Sequence, residues 1–189
     1  MAAKIQRKYK TFVQRWAAAI IDGIVFFPVF LIVNKLFEGD DNVSFISKTI
    51  LLNVLWIGYS AGMHARYGQT LGKMGSKVKV YSLDEKTLLS FDKALMREMI
   101  QIGICILGLY FVMIRYRGIY EHDPETVYND FTFYPSLIST IVELVTMFSN
   151  KKRRALHDFF ADSVVLDITI YKKWDFEYEE PVEQAPEKN

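Results

Sequence analysis

The chain alternates between long apolar blocks and polar connections. Residues 16–37 read WAAAIIDGIVFFPVFLIVNKLF, close to the roughly 20 apolar residues a helix needs to cross about 30 Å of hydrocarbon. A second block covers residues 45–65. A third runs from Met99 to Ile114, with Phe91–Glu98 as a helical lead-in, which puts its span at about 94–114. The fourth, residues 134–150, is the weakest, about 24 Å long over Tyr134–Ser149 if helical throughout. The pattern predicts an all-α membrane protein with four transmembrane helices. A soluble bundle of buried helices explains the apolar blocks as well, so the charges have to decide.

They decide for the bilayer. Lys4, Arg7, Lys8, Lys10 and Arg15 precede the first block, and Arg66, Lys73, Lys77, Lys79, Lys86, Lys93 and Arg97 lie between the second and third. Lys151, Lys152, Arg153 and Arg154 follow the fourth. The first-to-second connection instead carries Glu38, Asp40 and Asp41 with no Lys or Arg, and the third-to-fourth only Arg115 and Arg117. Basic residues mark alternate connections, as the positive-inside rule expects of four spans with both termini cytoplasmic. The expected location is the cell inner (cytoplasmic) membrane, with an extended outer loop over residues 115–133.

Composition adds two exclusions. Across 189 residues, 51% hydrophobic and 24% charged, the chain is neither disordered nor collagen-like. Its single cysteine, Cys105, excludes a disulfide framework within the chain. The domain is expected over residues 1–170, followed by a polar, disordered cytoplasmic tail over 171–189 rich in Glu and containing Pro181 and Pro186.

The connection between the second and third blocks predicts a small cytoplasmic β-hairpin or strand element. Val78 and Val80 alternate with Lys77, Lys79 and Tyr81, Ser82–Lys86 suits a turn, and Thr87–Leu89 a return. Ser163–Tyr171 is the other strand-like run, and charge puts it on the same side. It either pairs with the Val78 strand or lies separately at the headgroups. Gly68, Gly72 and Lys73 imitate a phosphate-binding P-loop, but three residues separate the glycines instead of four, and Met74 stands where a hydroxyl is needed.

Three polar side chains fall at similar depth on three predicted helices: Asp22, Glu143 and Gln101. The functional reading is an ion- or proton-binding cluster, with two carboxylates in low dielectric sharing a proton and Gln101 as neutral ligand. The structural reading is a set of buried pairs that clamps the bundle. Arg15, Arg97 and Asp158 form a second set nearer the headgroups, suited to bidentate pairing. His64, His122 and His157 are scattered, and none has a second ligand three or four residues on, so no metal site is expected. No nucleophile–base constellation is visible, so the protein is not expected to be an enzyme and no cofactor is implied.

Three stretches resemble the RDD family of small bacterial membrane proteins. Phe12–Asp22 (FVQRWAAAIID) supplies the arginine and the first-helix aspartate of the family's name. Thr70–Arg97 begins TLGKMGSKVKV and ends LSFDKALMRE. Arg153–Val165 (RRALHDFFADSVV) supplies the second aspartate, Asp158. Met74 stands where the family commonly has a basic residue, and Asp162 where glycine is common. The resemblance implies a multi-pass membrane protein, either a transporter or cation/proton exchanger using intramembrane carboxylates, or a non-catalytic accessory subunit of a membrane complex. The implied partners are the lipid bilayer, cations or protons, and a membrane protein or a second copy of the chain. Nucleic acid is not among them.

Overall fold

A computed structural model describes residues 6–39, 42–116 and 124–170. The tail over 171–189 and the centre of the outer loop, with His122, lie outside the described residues. The chain opens with a 3-10 turn, Gln6–Tyr9, and then forms α1 (Phe12–Leu36), α2 (Asn42–Tyr67), α3 (Leu71–Gly75) and β1 (Val78–Ser82). α4 (Phe91–Met96), α5 (Met99–Tyr116), α6 (Pro124–Ser149), α7 (Leu156–Phe160) and β2 (Ser163–Asp167) follow. The segment Arg7–Leu36 and helices α2 and α6 are long and apolar enough to cross a membrane, and Met99–Ile114 is a shorter apolar helix. Large apolar side chains such as Ile20, Ile24, Phe27, Leu31, Val54, Ile138 and Val145 point outward.

Two expected boundaries shift. The helix expected to run through 94–114 is broken at Arg97–Glu98, where both backbone amides turn back to Leu95 O. The break lets the Arg97 side chain turn inward to Asp158, 2.7 Å away. The fourth block is the second half of a longer helix that begins at Pro124, so most of the expected outer loop is helical. Val127 and Thr132 of that added length are buried, Val127 packing with Phe45 and Val112. A tertiary contact thus extends the helix beyond its apolar stretch.

The strands form one antiparallel pair, with Val80 opposite Val165 and Val78 opposite Asp167. The local hairpin does not form. Ser82 N donates to Thr87 O, but Thr87–Leu89 is irregular, and β1 takes its partner from the far end of the chain. β2 is buried along its whole length. Val78, Val80 and Val165 pack with Ala61, Leu89 and Ala94, while Val164 and Leu166 pack with Tyr9 on the other face. This alternation along β2, one residue to each core, is what a strand buried on both sides requires. The sheet thereby closes one end of the bundle.

Short-range chemistry fixes the pieces. Thr70 N-caps α3 by accepting from Lys73 N. Gly72 lets α3 lie directly on α1, because a Cβ there would strike Ala18 O and come within 2.7 Å of the Asp22 carboxyl carbon. Asn150 ends α6, its amide donating to Thr146 O and Arg154 O while its Oδ1 accepts from Arg154 N. Glu85 gathers Lys8 Nζ (2.5 Å), Tyr9 Oη (2.6 Å) and Lys152 Nζ (2.8 Å), tying the turn after β1 to both flanking segments. Burial raises the Glu85 carboxyl, but the bonds from Lys152, Lys8 and Tyr9 outweigh it and bring it down to about 2.

Gly72→Val should unseat α3 and cost at least about 3 kcal/mol, since a backbone carbonyl cannot move aside as a side chain can. Thermal unfolding in detergent would check this against Gly75→Val, where the nearest atom to an added Cβ is the end of the Ile21 side chain at 3.4 Å. Because the folded Glu85 value lies below its ordinary 4.5, its contribution is present above about pH 4.5 and is lost as pH falls toward 2. Glu85→Gln should flatten that part of the acid dependence of the unfolding midpoint.

Candidate functional site

At the capped end the usual distribution inverts, with polar side chains inside and apolar ones outside. Asp158, with 0% of its side chain exposed, lies between two guanidiniums. Arg15 Nη1 donates to its Oδ2 and Arg97 Nη1 to its Oδ1, each at 2.7 Å. Ala155 N and Ser163 Oγ add bonds of 3.0 and 3.2 Å. Burial alone would raise the Asp158 carboxyl, but Arg15 and Arg97, then His157, hold it well below the usual carboxylate range. Arg15 also donates to Thr11 Oγ1 and Arg153 O. Arg15, Arg97 and Asp158 thus form one buried cluster joining α1, the α4–α5 break and α7.

Asp22 has no basic partner among the described residues. Its Oδ1 accepts from Tyr59 Oη (2.7 Å) and Gly72 N (2.8 Å), and its Oδ2 from Thr70 Oγ1 (2.6 Å). Tyr59 Oη in turn accepts from Leu71 N at 3.0 Å. The carboxylate therefore serves the first turn of α3, a placement favoured by that helix's unpaired amides.

Glu143 lies across from it on α6 and meets His157, Oε1 to Nδ1 at 2.6 Å. His157 Nε2 stands 3.5 Å from Asp158 Oδ1, so the imidazole lies between two carboxylates, hydrogen-bonded to Glu143 and within ion-pair distance of Asp158. Gln101 is not brought to this group. It lies exposed near the start of α5, whose close packing comes later in the helix, at Gly108 and Val112.

Between these groups lies a cavity of about 370 Å³, flanked by α1 and α6. Asp22, Glu143 and His157 line it with Arg15, Lys73 and Arg97, beneath an apolar upper wall that includes Trp16, Trp56, Leu144 and Met147. Phe12, also in the lining, packs against Phe148, their rings 5.3 Å apart. Trp16, Ala19 and Thr140 are exposed, which opens the cavity sideways between the two helices.

Lys73 and His64 are the pair that sequence reasoning passed over. Lys73 Nζ lies 2.6 Å from His64 Nε2, while His64 Nδ1 lies 2.7 Å from Ser60 O. The neutral imidazole fits both contacts, with Nδ1–H donating to the carbonyl and Nε2 accepting from the ammonium. Burial, then the neighbouring Arg97 and Arg15, push Lys73 down to about 7, against the opposite pull of Asp158 and Glu98. The sequence did hold one signal for its position: Thr70 before Gly72–Lys73 reads as an N-cap starting a short helix.

An apolar bundle that gathers its charges inside one capped end is a helical membrane protein, and here the charge cluster is built from two arginines and an aspartate. The chain belongs to the RDD family, which it matches over residues 9–162. Arg15, Asp22 and Asp158 all lie within that match. No curated protein and no solved structure matches the chain significantly.

Asp158→Asn should destabilise the protein by about 3 kcal/mol or more, because it leaves two buried guanidiniums without their shared counter-ion. Replacing Asp22 by Asn should cost less, about 1–2 kcal/mol, since its partners are neutral donors and two can still be satisfied by the amide oxygen. Thermal unfolding of the two variants side by side would show that order.

Proposed function

We propose that this RDD protein is a transporter of the inner membrane, with four spans and both termini cytoplasmic, in which proton exchange at Glu143 and His157 accompanies passage of a solute through the cavity. Connectivity supports the four spans. Tyr9 packs against β2, and β1 pairs with β2, so each intervening helix pair leaves the capped end and returns to it. α1 and α2 form one such pair, which makes α5 the crossing partner of α6. Its 18 residues rise about 27 Å, close to the hydrocarbon thickness. The alternation of basic connections supports a cytoplasmic cap.

One observation carries the transport reading. Glu143 and His157, with side chains 31% and 24% exposed, form an ionisable pair in the wall of an open cavity. Asp158 is sealed and Asp22 is committed to α3, so this pair is the carboxylate system that water can reach. The protein acts without a cofactor and as a carrier rather than an enzyme.

Proteoliposomes loaded with a pH-sensitive dye should acidify or alkalinise on solute addition, and Glu143→Gln should reduce that response at least about tenfold while the protein stays folded. Unchanged proton flux in Glu143→Gln would remove the reading. No flux in the wild type, together with one dominant partner crosslinked in native membranes, would put an accessory subunit in its place. A reporter fused to the carboxy terminus should be active in the cytoplasm.

A further inference from the structure

Two cations of the cavity wall keep hydrogen-bond donors that the fold does not use. Arg15 and Arg97 share the single carboxylate of Asp158. Arg97 makes both its side-chain hydrogen bonds through Nη1, to Asp158 and Ser163, which leaves Nε and Nη2 uncommitted among the described residues. This guanidinium is only 3% exposed, yet it lines the cavity. Lys73 commits one of its three N–H donors, to the neutral His64, and has no carboxylate within ion-pair distance among the described residues. Donors that water can reach but no protein group uses are available to an acceptor that enters the cavity.

The carboxylates that face this corner are already engaged. Asp22 on α1 takes three donors from Tyr59 and α3, and Glu143 on α6 takes His157. Glu98 accepts from Ser60 Oγ at 2.6 Å. Asp158 on α7 is divided between the two arginines. Arg97 and Lys73 come from different elements and both line a space large enough for a polyatomic anion. The sideways opening at Trp16, Ala19 and Thr140 lies on helices that cross the bilayer, so an amphiphile can enter with its chains left in lipid.

We propose that the cavity is a binding site for a phosphate-bearing anion, held by Arg97 and Lys73 and flanked by Arg15. Several acceptor oxygens of one phosphate can meet guanidinium and ammonium donors at once, the arrangement that Arg favours by its fork and Lys by its point charge. The phosphate arrives either on a lipid headgroup, through the side opening, or free in solution. The anion draws a proton onto Lys73 from the surrounding water, so the site takes up a proton as it fills. With Lys73 near 7, affinity for a phosphodiester headgroup, whose own charge is constant in this range, is greatest below pH 7 and falls as pH rises through it. This inference shares with the transport reading the premise that the cavity holds a ligand, but it is tested by binding and not by flux.

The test uses the full chain purified in detergent, with thermal stabilisation and native mass spectrometry as readouts. The probes are phosphatidylglycerol, diacylglycerol (the same chains without phosphate) and inorganic phosphate. Phosphatidylglycerol is expected to bind and stabilise, diacylglycerol not, and Lys73→Gln to weaken binding about tenfold. Lys73→Arg is expected to restore binding and abolish its fall above pH 7, which decides the matter should Lys73→Gln not fold. Ala19→Trp, placed at the opening, separates the sources: lost lipid binding with retained phosphate binding supports lateral entry, and phosphate binding alone in both proteins supports a soluble anion. Binding of neither phosphate probe would overturn the proposal. So would a folded Lys73→Gln that binds like the wild type, or a Lys73→Arg that keeps the wild-type pH profile. Anion binding without flux removes transport and leaves this site standing, whereas flux without anion binding does the reverse.

Discussion

The structure depends on one carboxylate shared by two guanidiniums. Asp158 joins segments far apart in sequence, the first turn of α1 through Arg15 and the α4–α5 break through Arg97, each at 2.7 Å. Desolvating these charges is expensive, and the pairs recover that energy only because their geometry is close and Ala155 N and Ser163 Oγ fill the remaining acceptor positions. Such a cluster adds little net stability compared with apolar packing, but it has one satisfactory arrangement. It therefore acts through register. Arg97 can reach Asp158 because α4 stops where it does, and β2 starts five residues after Asp158 with its first hydroxyl, Ser163, inside the cluster.

Burial of apolar surface cannot align helices that are surrounded by lipid, since the tails are as apolar as the side chains. The bundle follows that constraint. Its mid-membrane contacts are few, and its continuous cores lie at the ends: Phe45 with Val112 and Val127 at one, and the valines of the two strands at the other. Beside these cores and the aromatic contact of Phe26 with Trp56, attachments are polar or depend on small residues. Asp22 holds the first turn of α3 through Gly72 N and Thr70 Oγ1, and Gly108 lets Tyr128 and Thr132 approach α5 so closely that a Cβ would collide with them. Polar side chains that cost energy on insertion are thus used where they find partners.

Much of this was legible in the sequence because it follows from residue type. Hydropathy located the helices, basic residues marked the capped connections, and alternation at Val78 and Val80 found a strand. What was not legible depends on tertiary geometry. Nothing local shows that a helix starting at Phe91 must stop at Arg97, because the cause is an aspartate sixty-one positions later. The polar start of α6 reads as loop until Val127 has Phe45 to pack against. Equal depth along three helices does not fix rotation, which is why Asp22 and Glu143 share a cavity while Gln101 lies exposed outside it. Asp162 adopts φ 46°, a left-handed conformation that explains why glycine suits that position in relatives of this motif.

The same arithmetic that fixes the fold sets the character of the cavity. One aspartate satisfies two arginines geometrically, each through a single Nη1 contact, but neutralises only one of them. Asp22 and Glu143 bring negative charge to the same cavity, but the oxygens of Asp22 serve Tyr59 and α3 and Glu143 is engaged with His157, so neither accepts from Arg97 or Lys73. The unused donors of Arg97 and Lys73 therefore belong to residues that line a space of about 370 Å³, the lysine having a neutral imidazole as its neighbour. Register accounts for both arginines, one on α1 and one at the α4–α5 break, but not for Lys73. Holding these charges at the edge of a low-dielectric bilayer costs stability, and water or an acceptor entering the cavity offsets part of that cost. The clamp and the cavity are therefore built on the same two arginines.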